Sequence, residues 1–490
     1  MNRNHAALAL LVCCAAGSAL VYWLGFSQPY NLLALSGRPL YSFGDRARAD
    51  LYAYVRLIAA FVLLGLLYGL GWHLARRSAR RVAWAIVAGG ALASAAVLLW
   101  MYPVGAADLF ADIMYGRILS RYGANPYFDV AASFAGDRFL PYVAWGTTPA
   151  HYGPLCLELF ALTARLAGEG LVANVLAFKL LNALFLAGSV ALVAWTLRRA
   201  APEWALAGTL ALAWNPIVLY ETLGNGHNDI LMAFWVLAAI ALAGRRRFVG
   251  AVVALTAGAL VKIVPALLVP ALGLVALRSS TSAHARLCFV VRAGAAGLGL
   301  AVAAYAPLWR GPATLTFLQR QAMFTTSLPA ALWAWLSPLW GVERTGRAIG
   351  ALAWAAAGAF ALARAGRTWR DPSWLSFPRA AFDILLFYLL VACPWYKEWY
   401  SIWPLAVAAT IPGGRALAPA VILNYAGMAQ PLALWPLWIG PSPLPDTARE
   451  LRLGPAVMAL PTAFLALRWL RERRQARAQA GPGNLRRLDR

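Results

Sequence analysis

Apolar runs broken by short polar or basic segments recur along the chain, the pattern of a polypeptide that crosses a bilayer many times. Residues 6–26, 51–73 and 82–101 each approach the roughly 20 apolar residues that a crossing helix needs. Residues 1–26 also resemble a signal peptide, with Arg3 ahead of an apolar stretch containing small residues, but the many later spans favour a first transmembrane helix.

Charge sets the orientation. Three crossings from a cytoplasmic start put Arg76, Arg77, Arg80 and Arg81 inside, as the positive-inside bias requires, and the loop after Met101 outside. The apolar stretch 152–196 is long enough for two helices, yet two crossings would carry Arg198, Arg199 and Arg245 to Arg247 outside. One crossing near 172–197 is therefore expected, with residues 154–167 forming an interfacial or re-entrant helix on the outer side.

The remaining segments follow in alternation: 204–222 outward, 230–243 back, two short spans within 248–277 with Lys262 near the outer side, and 287–308 outward. An outer loop at 309–347 leads to a span at 348–363 and another at 382–393, so residues 394–401 face outside. Two short spans then lead to a third outer loop at 434–453 and a last span. The fold class predicted is an all-α polytopic membrane bundle of about 14 crossings. Residues 1–470 form a single domain with an external loop at about 102–154, and residues 471–490 form a basic cytoplasmic tail near anionic headgroups.

Composition agrees. Of 490 residues 61% are hydrophobic and only 13% charged, against roughly 25% charged in soluble proteins. The net charge of +24 arises from basic clusters between spans, which argues for membrane lipids and against nucleic acid as partner. High Ala, Arg and Trp with few Lys suggests a GC-rich bacterial genome, hence the cytoplasmic (inner) membrane. The scattered cysteines (Cys13, Cys14, Cys156, Cys288, Cys393) read as small hydrophobes without metal spacing.

Candidate chemistry collects on the outer side. Asp108 and Asp112 stand four apart, so a helix places both carboxylates on one face with Tyr115 a turn further. Asp108 reads either as a solvated acid at a helix N-terminus or as a functional group, and Asp112 as its orienting neighbour or as a partner of Arg117. The turn Gly224-Asn225-Gly226-His227-Asn228-Asp229 is either a flexible connection or a holder of a sugar, a phosphate or a divalent cation through oxygen ligands. It is too poor in ligands for zinc.

Lys262 either snorkels to the interface or meets a lipid phosphate, with Arg310, Arg320 and Lys397 as rivals. The aromatics of residues 395–400 suit an interface belt. No Walker loop, dinucleotide fingerprint or nucleophile elbow occurs.

The ordered set Asp108-x7-Gly116-Arg117, Gly123-x-Asn125-Pro126-Tyr127, Tyr152-Gly153-Pro154-Leu155, Asn215-Pro216, Gly226-His227-Asn228-Asp229, Lys262 and Pro394-Trp395-Tyr396 resembles the GT-C superfamily of membrane glycosyltransferases. The resemblance is closest to bacterial polyprenyl-phosphate-mannose-dependent α-mannosyltransferases. It implies a GT-C-type bundle and transfer of a hexose, mannose above others, from a polyprenyl-phosphate-linked donor to a glycan or lipid acceptor at the outer face of the membrane. It makes Asp108 the base, supported by Asp112, in an inverting displacement. The substrate-binding candidates are Tyr115, Arg117, Asn125, Tyr152, His227, Asn228, Asp229, Lys262, Arg320, Tyr396 and Lys397. The superfamily's frequent Asp-x-Asp at the second turn is Asn228-Asp229 here, so no cofactor is firmly implied, though a divalent cation remains compatible. A flippase or transporter of lipid-linked saccharides, or a polymerase or ligase of lipid-linked glycans, are the alternative readings.

Overall fold

A computed structural model of the chain describes residues 3–39, 51–78, 81–315, 324–371, 373–429, 456–468, 470, 471 and 474. Among them the regular structure is all helical, and the extended pairing consists of isolated bridges, Asn31 with Met101 and Thr325 with Trp395. Six described helices are long and apolar enough to cross a membrane: His5–Ser27, Tyr52–Ala75, Arg81–Leu99, Leu171–Ala200, Ala283–Leu308 and Val342–Arg370. Leu66, Leu92, Leu184, Leu298 and Leu352 point outward from five of these helices, each more than 60% exposed. Burying one such side chain is worth about 2 kcal/mol, so a face bearing them suits hydrocarbon rather than water.

Six falls short of the expected 14 or so, because several apolar segments are broken or short. Asp229–Gly244, Phe248–Ala259, Val264–Ser279 and Leu417–Ala429 are apolar helices below spanning length. The expected span 204–222 is broken outright. Its helix Ala205–Ala213 stops before Asn215-Pro216, since Pro216 has no N–H to continue the ladder. Asn215 restarts the chain by accepting hydrogen bonds from the Ile217 and Val218 amides at 3.1 and 3.0 Å. A short helix Pro216–Leu219 and a wide π turn Tyr220–Asn225 follow. Gly226, at φ +87°, then turns the chain into Asp229–Gly244, a conformation that glycine adopts without strain.

The expected outer loop 309–347 also differs. It contains the helix Leu328–Trp340, and Val342–Arg370 begins inside it, so Arg347 is helical and the expected span 348–363 is longer at both ends. The third outer loop at 434–453 and nearly all of the tail lie outside the described residues.

The division of 152–196 does occur. Pro154–Ala167 is a helix of its own, opened by Pro154 at its first turn and closed at Gly168, and Leu171–Ala200 follows it. Pro154–Ala167 packs along the Asp108–Ser120 helix so tightly that a Cβ on Gly116 would lie 2.4 Å from the Phe160 carbonyl oxygen. Glycine at 116 is what allows that approach, eight residues after Asp108.

Candidate active site

Four segments distant in sequence meet at the N-terminal end of the Asp108–Ser120 helix. The 220–229 turn is tied down by the Asn225 side chain and by its backbone carbonyls. Asn225 Oδ1 accepts from the Gly105 amide at 3.1 Å, and Asn182 Nδ2 donates to the carbonyls of Gly226 and His227 at 2.8 and 3.2 Å. The turn carrying Lys262 is docked against Tyr152 by two backbone bonds, Gly153 N to Val261 O at 3.0 Å and Leu155 N to Leu260 O at 3.1 Å. The segment from Pro394 to Trp403 closes the group, anchored where Ser327 Oγ donates to the Pro394 carbonyl at 2.9 Å.

The acids gathered here are not equivalent. Asp112 is 2% exposed and accepts from Asn228 Nδ2 at 2.8 Å. Asp229 is 1% exposed, paired with Lys262 Nζ at 2.8 Å and accepting from the Trp403 indole at 2.7 Å. Glu221, also 1% exposed, accepts from Asn225 Nδ2 at 2.9 Å. Asp108 alone of these four keeps an accessible side chain, at 30%.

The enclosing protein raises the Asp108 carboxyl above the usual range by stripping water from it, while Lys397 and Lys262 pull it back and Asp229 adds to the rise. Asp112 is raised well above, by burial first and then by Asp108. Of the two, Asp108 is the accessible carboxylate with heightened proton affinity.

His227 lies between these acids. Nδ1 is 3.9 Å from Asp108 Oδ2 and Nε2 is 3.4 Å from Glu221 Oε2, while the ring stacks on Trp399 with centroids 3.6 Å apart. Burial, reinforced by Lys262 and Lys397, lowers its pKa well below the usual value, so the ring is neutral. Asp112 Oδ1 and Asn228 Oδ1 are buried with no hydrogen-bond partner in the protein, a condition that costs about 1–3 kcal/mol per group unless a ligand or water completes it.

The cations separate as well. Lys262 does not snorkel: it pairs with Asp229 and lies 5.5, 5.3 and 5.9 Å from the ring centroids of Tyr152, Tyr400 and Trp403. Lys397 is half-buried over the Trp395 ring at 5.2 Å, and no carboxylate lies within ion-pairing distance of it among the described residues. It is close enough to act on both Asp108 and His227.

The other residues singled out by the sequence have the following surroundings. Arg117 does not partner Asp112. It forms a buried ion pair with Asp137, Nη2 to Oδ2 at 2.8 Å, and reaches Glu169 at 3.0 Å. Burial alone would raise the Asp137 carboxyl, but Arg117, the Phe139 amide and Tyr122 outweigh it and hold it below the usual range.

Asn125 donates to the Leu308 carbonyl at 2.7 Å, and Tyr115 donates to the Thr148 carbonyl at 3.1 Å. Tyr396 is fully buried. Arg310 is exposed, with its guanidinium 5.9 Å from the Phe128 ring centroid. Arg320 lies outside the described residues.

Sequence reasoning missed Glu221, Trp145, Trp399 and Trp403. Glu221 sits in a segment read as a crossing, where an acid is itself a signal of function. Of the tryptophans only Trp399 falls in the expected interface belt, while Trp145 and Trp403 carry no signal of their own in the sequence. The turn Gly224 to Asp229, expected at the membrane surface, is buried throughout, as are Thr222 and Leu223 before it.

The Lys262 ammonium already occupies the cationic place on Asp229, and Asn228 holds one Asp112 oxygen. Among the described residues no three His, Cys, Asp or Glu side chains converge with metal-holding geometry.

A family model described as "Alpha-(1->6)-mannopyranosyltransferase, N-terminal domain" matches residues 7–278, which include Asp108, Asp112, His227, Asp229 and Lys262. Among similar proteins, an "Alpha-(1->6)-mannopyranosyltransferase A" of Corynebacterium glutamicum is 28% identical over 178 residues, 35% of each chain. The protein of the same description from Mycobacterium tuberculosis is 32% identical over 189 residues, 37% of this chain and 35% of the relative. The chain thus spans about a third of the length of the curated relatives it matches.

Proposed function

The chain belongs to the alpha-(1->6)-mannopyranosyltransferase family, and on that premise we propose that it transfers a mannosyl residue from a polyprenyl-phosphate-linked donor to a hydroxyl of a glycan or lipid acceptor. The reaction is placed at the outer face of the bacterial cytoplasmic membrane, where the positive-inside bias puts the acidic loop. The observation that carries this reading is the difference among the acids. Asp112, Asp229 and Glu221 are sealed and hydrogen-bonded, whereas Asp108 is reachable and has a raised proton affinity.

In the proposed step the acceptor oxygen forms a bond to the anomeric carbon as the bond from that carbon to the donor's phosphate oxygen breaks. The acceptor proton passes to Asp108, and polyprenyl phosphate leaves with the electron pair. Attack opposite the leaving group inverts the anomeric centre, so an α product requires a β-linked donor. Lys397, with no carboxylate partner of its own, is the cation best suited to the departing phosphate, since Lys262 is committed to Asp229. His227 stacked on Trp399 forms one flat wall beside Asp108.

Purified chain reconstituted with polyprenyl-phosphate mannose and candidate acceptors tests the reading through formation of a glycosidic bond. Donor consumption with a new mannosylated product supports it. Movement of the donor across the bilayer without bond formation would favour the transporter alternative and overturn it.

A further inference from the structure

Far from the acidic site, the Leu171–Ala200 and Asp229–Gly244 helices leave a groove of about 570 Å³ between them, within the range of ligand clefts. Small side chains open it: Gly188, Ala191 and Ala238 face Leu192, Phe234 and Leu242, and the lining is almost wholly apolar. Its floor is tight, since a Cβ on Gly188 would lie 2.7 Å from the Phe234 ring. Along the helix, Phe234 is about 8 Å and Leu242 about 20 Å from Asp229, so the end of the groove at Trp195 and Leu242 opens on the leaflet opposite the acids.

The end of the groove is cationic. Trp195 lines it, and the guanidinium groups of Arg199 and Arg245 both lie over that one indole, at 4.9 and 5.4 Å from its centroid. Both arginines are exposed, and neither has a carboxylate within ion-pairing distance among the described residues. Arg198, Arg246 and Arg247 stand beside them. Two like charges drawn onto one ring at the mouth of an apolar cleft call for an anion that carries hydrocarbon.

We propose that this groove is a binding site for an anionic phospholipid of that leaflet, with an acyl chain lying between the two helices and the headgroup phosphate held by Arg199 and Arg245 over Trp195. The site is separate from the acidic cluster and does not depend on the reaction assigned to it. Arginine suits the role because its planar fork binds phosphate through two parallel N–H donors while its face stays stacked on the indole.

The test uses full-length chain in phosphatidylcholine nanodiscs containing phosphatidylglycerol, with retained lipid counted by native mass spectrometry. The wild-type chain is expected to retain phosphatidylglycerol in preference to phosphatidylcholine. Arg199→Gln with Arg245→Gln should lower that preference about fivefold per arginine and about thirtyfold together. Arg199→Lys with Arg245→Lys, which keeps both charges but loses the fork that stacks and binds phosphate twice, should fall between wild type and the double Gln variant, and its residual preference shows that a folded chain is being measured. Ala191→Phe, which fills the groove and leaves the arginines, should abolish retention, while Arg77→Gln at another exposed cation should not. Unchanged preference in the double Gln variant, retention by Ala191→Phe, or displacement of the lipid by inorganic phosphate alone would each overturn the proposal.

Discussion

Replacing Lys262 with methionine isolates the pair at the centre of the site. Its ammonium is 2.8 Å from Asp229 Oδ1, and the two side chains are 13% and 1% exposed. At that separation the attraction is about 6 kcal/mol for an effective dielectric of roughly 20, and much of it is offset by the cost of removing both charges from water. Deleting one partner of such a pair costs about 3–5 kcal/mol because the other is left buried and unpaired.

The two single variants should differ. Lys262→Met strands Asp229 with only the Trp403 indole, so it should reach about 4 kcal/mol. Asp229→Asn leaves an ammonium that is partly accessible and flanked by three aromatic rings. Cation–π attraction of about 0.5–1 kcal/mol per ring should hold that loss to about 2 kcal/mol. The double variant removes both charges and should fall within about 1 kcal/mol of wild type, because no unpaired charge remains.

Thermal-unfolding midpoints of the four proteins in nanodiscs give the ranking. A Lys262→Met midpoint at or above that of Asp229→Asn, or a double variant below Lys262→Met, would refute the reasoning. The double variant also bears on mechanism. If Lys397 and not Lys262 meets the phosphate, its KM for the lipid donor stays near wild type.

Asp108→Asn should lower kcat by about 100- to 10,000-fold with folding intact, the usual worth of a general base; full activity in a folded mutant would remove the assignment. Because Asp108 must be ionised to act and its pKa is raised, the acid limb of the kcat/KM profile should lie above the ~3.9 of an unperturbed aspartate. Lys397→Ala should raise KM for the donor and leave the melting midpoint nearly unchanged, as measured by initial rates and thermal shift. Asp137→Asn should cost about 2 kcal/mol, less than the about 3–5 kcal/mol of a fully stranded buried charge, because Arg117 keeps the exposed Glu169 as a partner. The pair's stability should be present above the unfolded pKa of Asp137 and lost as pH falls through its lower folded pKa, as a pH series of melting midpoints would read.

Much of the local structure was legible in the chain. Counting charged clusters required a separate helix at 154–167, and Pro154–Ala167 is that helix. Spacing put Asp108 and Asp112 on one helical face, and the rise that Asp108 adds to the Asp112 carboxyl follows from it. Long uninterrupted apolar runs gave helices close to the expected limits, because in hydrocarbon every backbone group must be paired within its own segment. Where polar residues supplied other partners, as Asn215 does, the expected span 204–222 broke.

The partners inside the site were a different matter. Asp229 meets Trp403 across 174 residues of sequence, Asn228 meets Asp112 across 116, and Arg117 chose Asp137 over the nearer Asp112. Periodicity reports the face of a helix, not which other face it meets, so the sequence by itself determined a helical membrane chain with an acidic loop and a base candidate. Only tertiary packing decided which acids are sealed by partners and which one stays open. That difference arises because a carboxylate's proton affinity depends on the water and charges around it, and those are assembled from segments hundreds of residues apart.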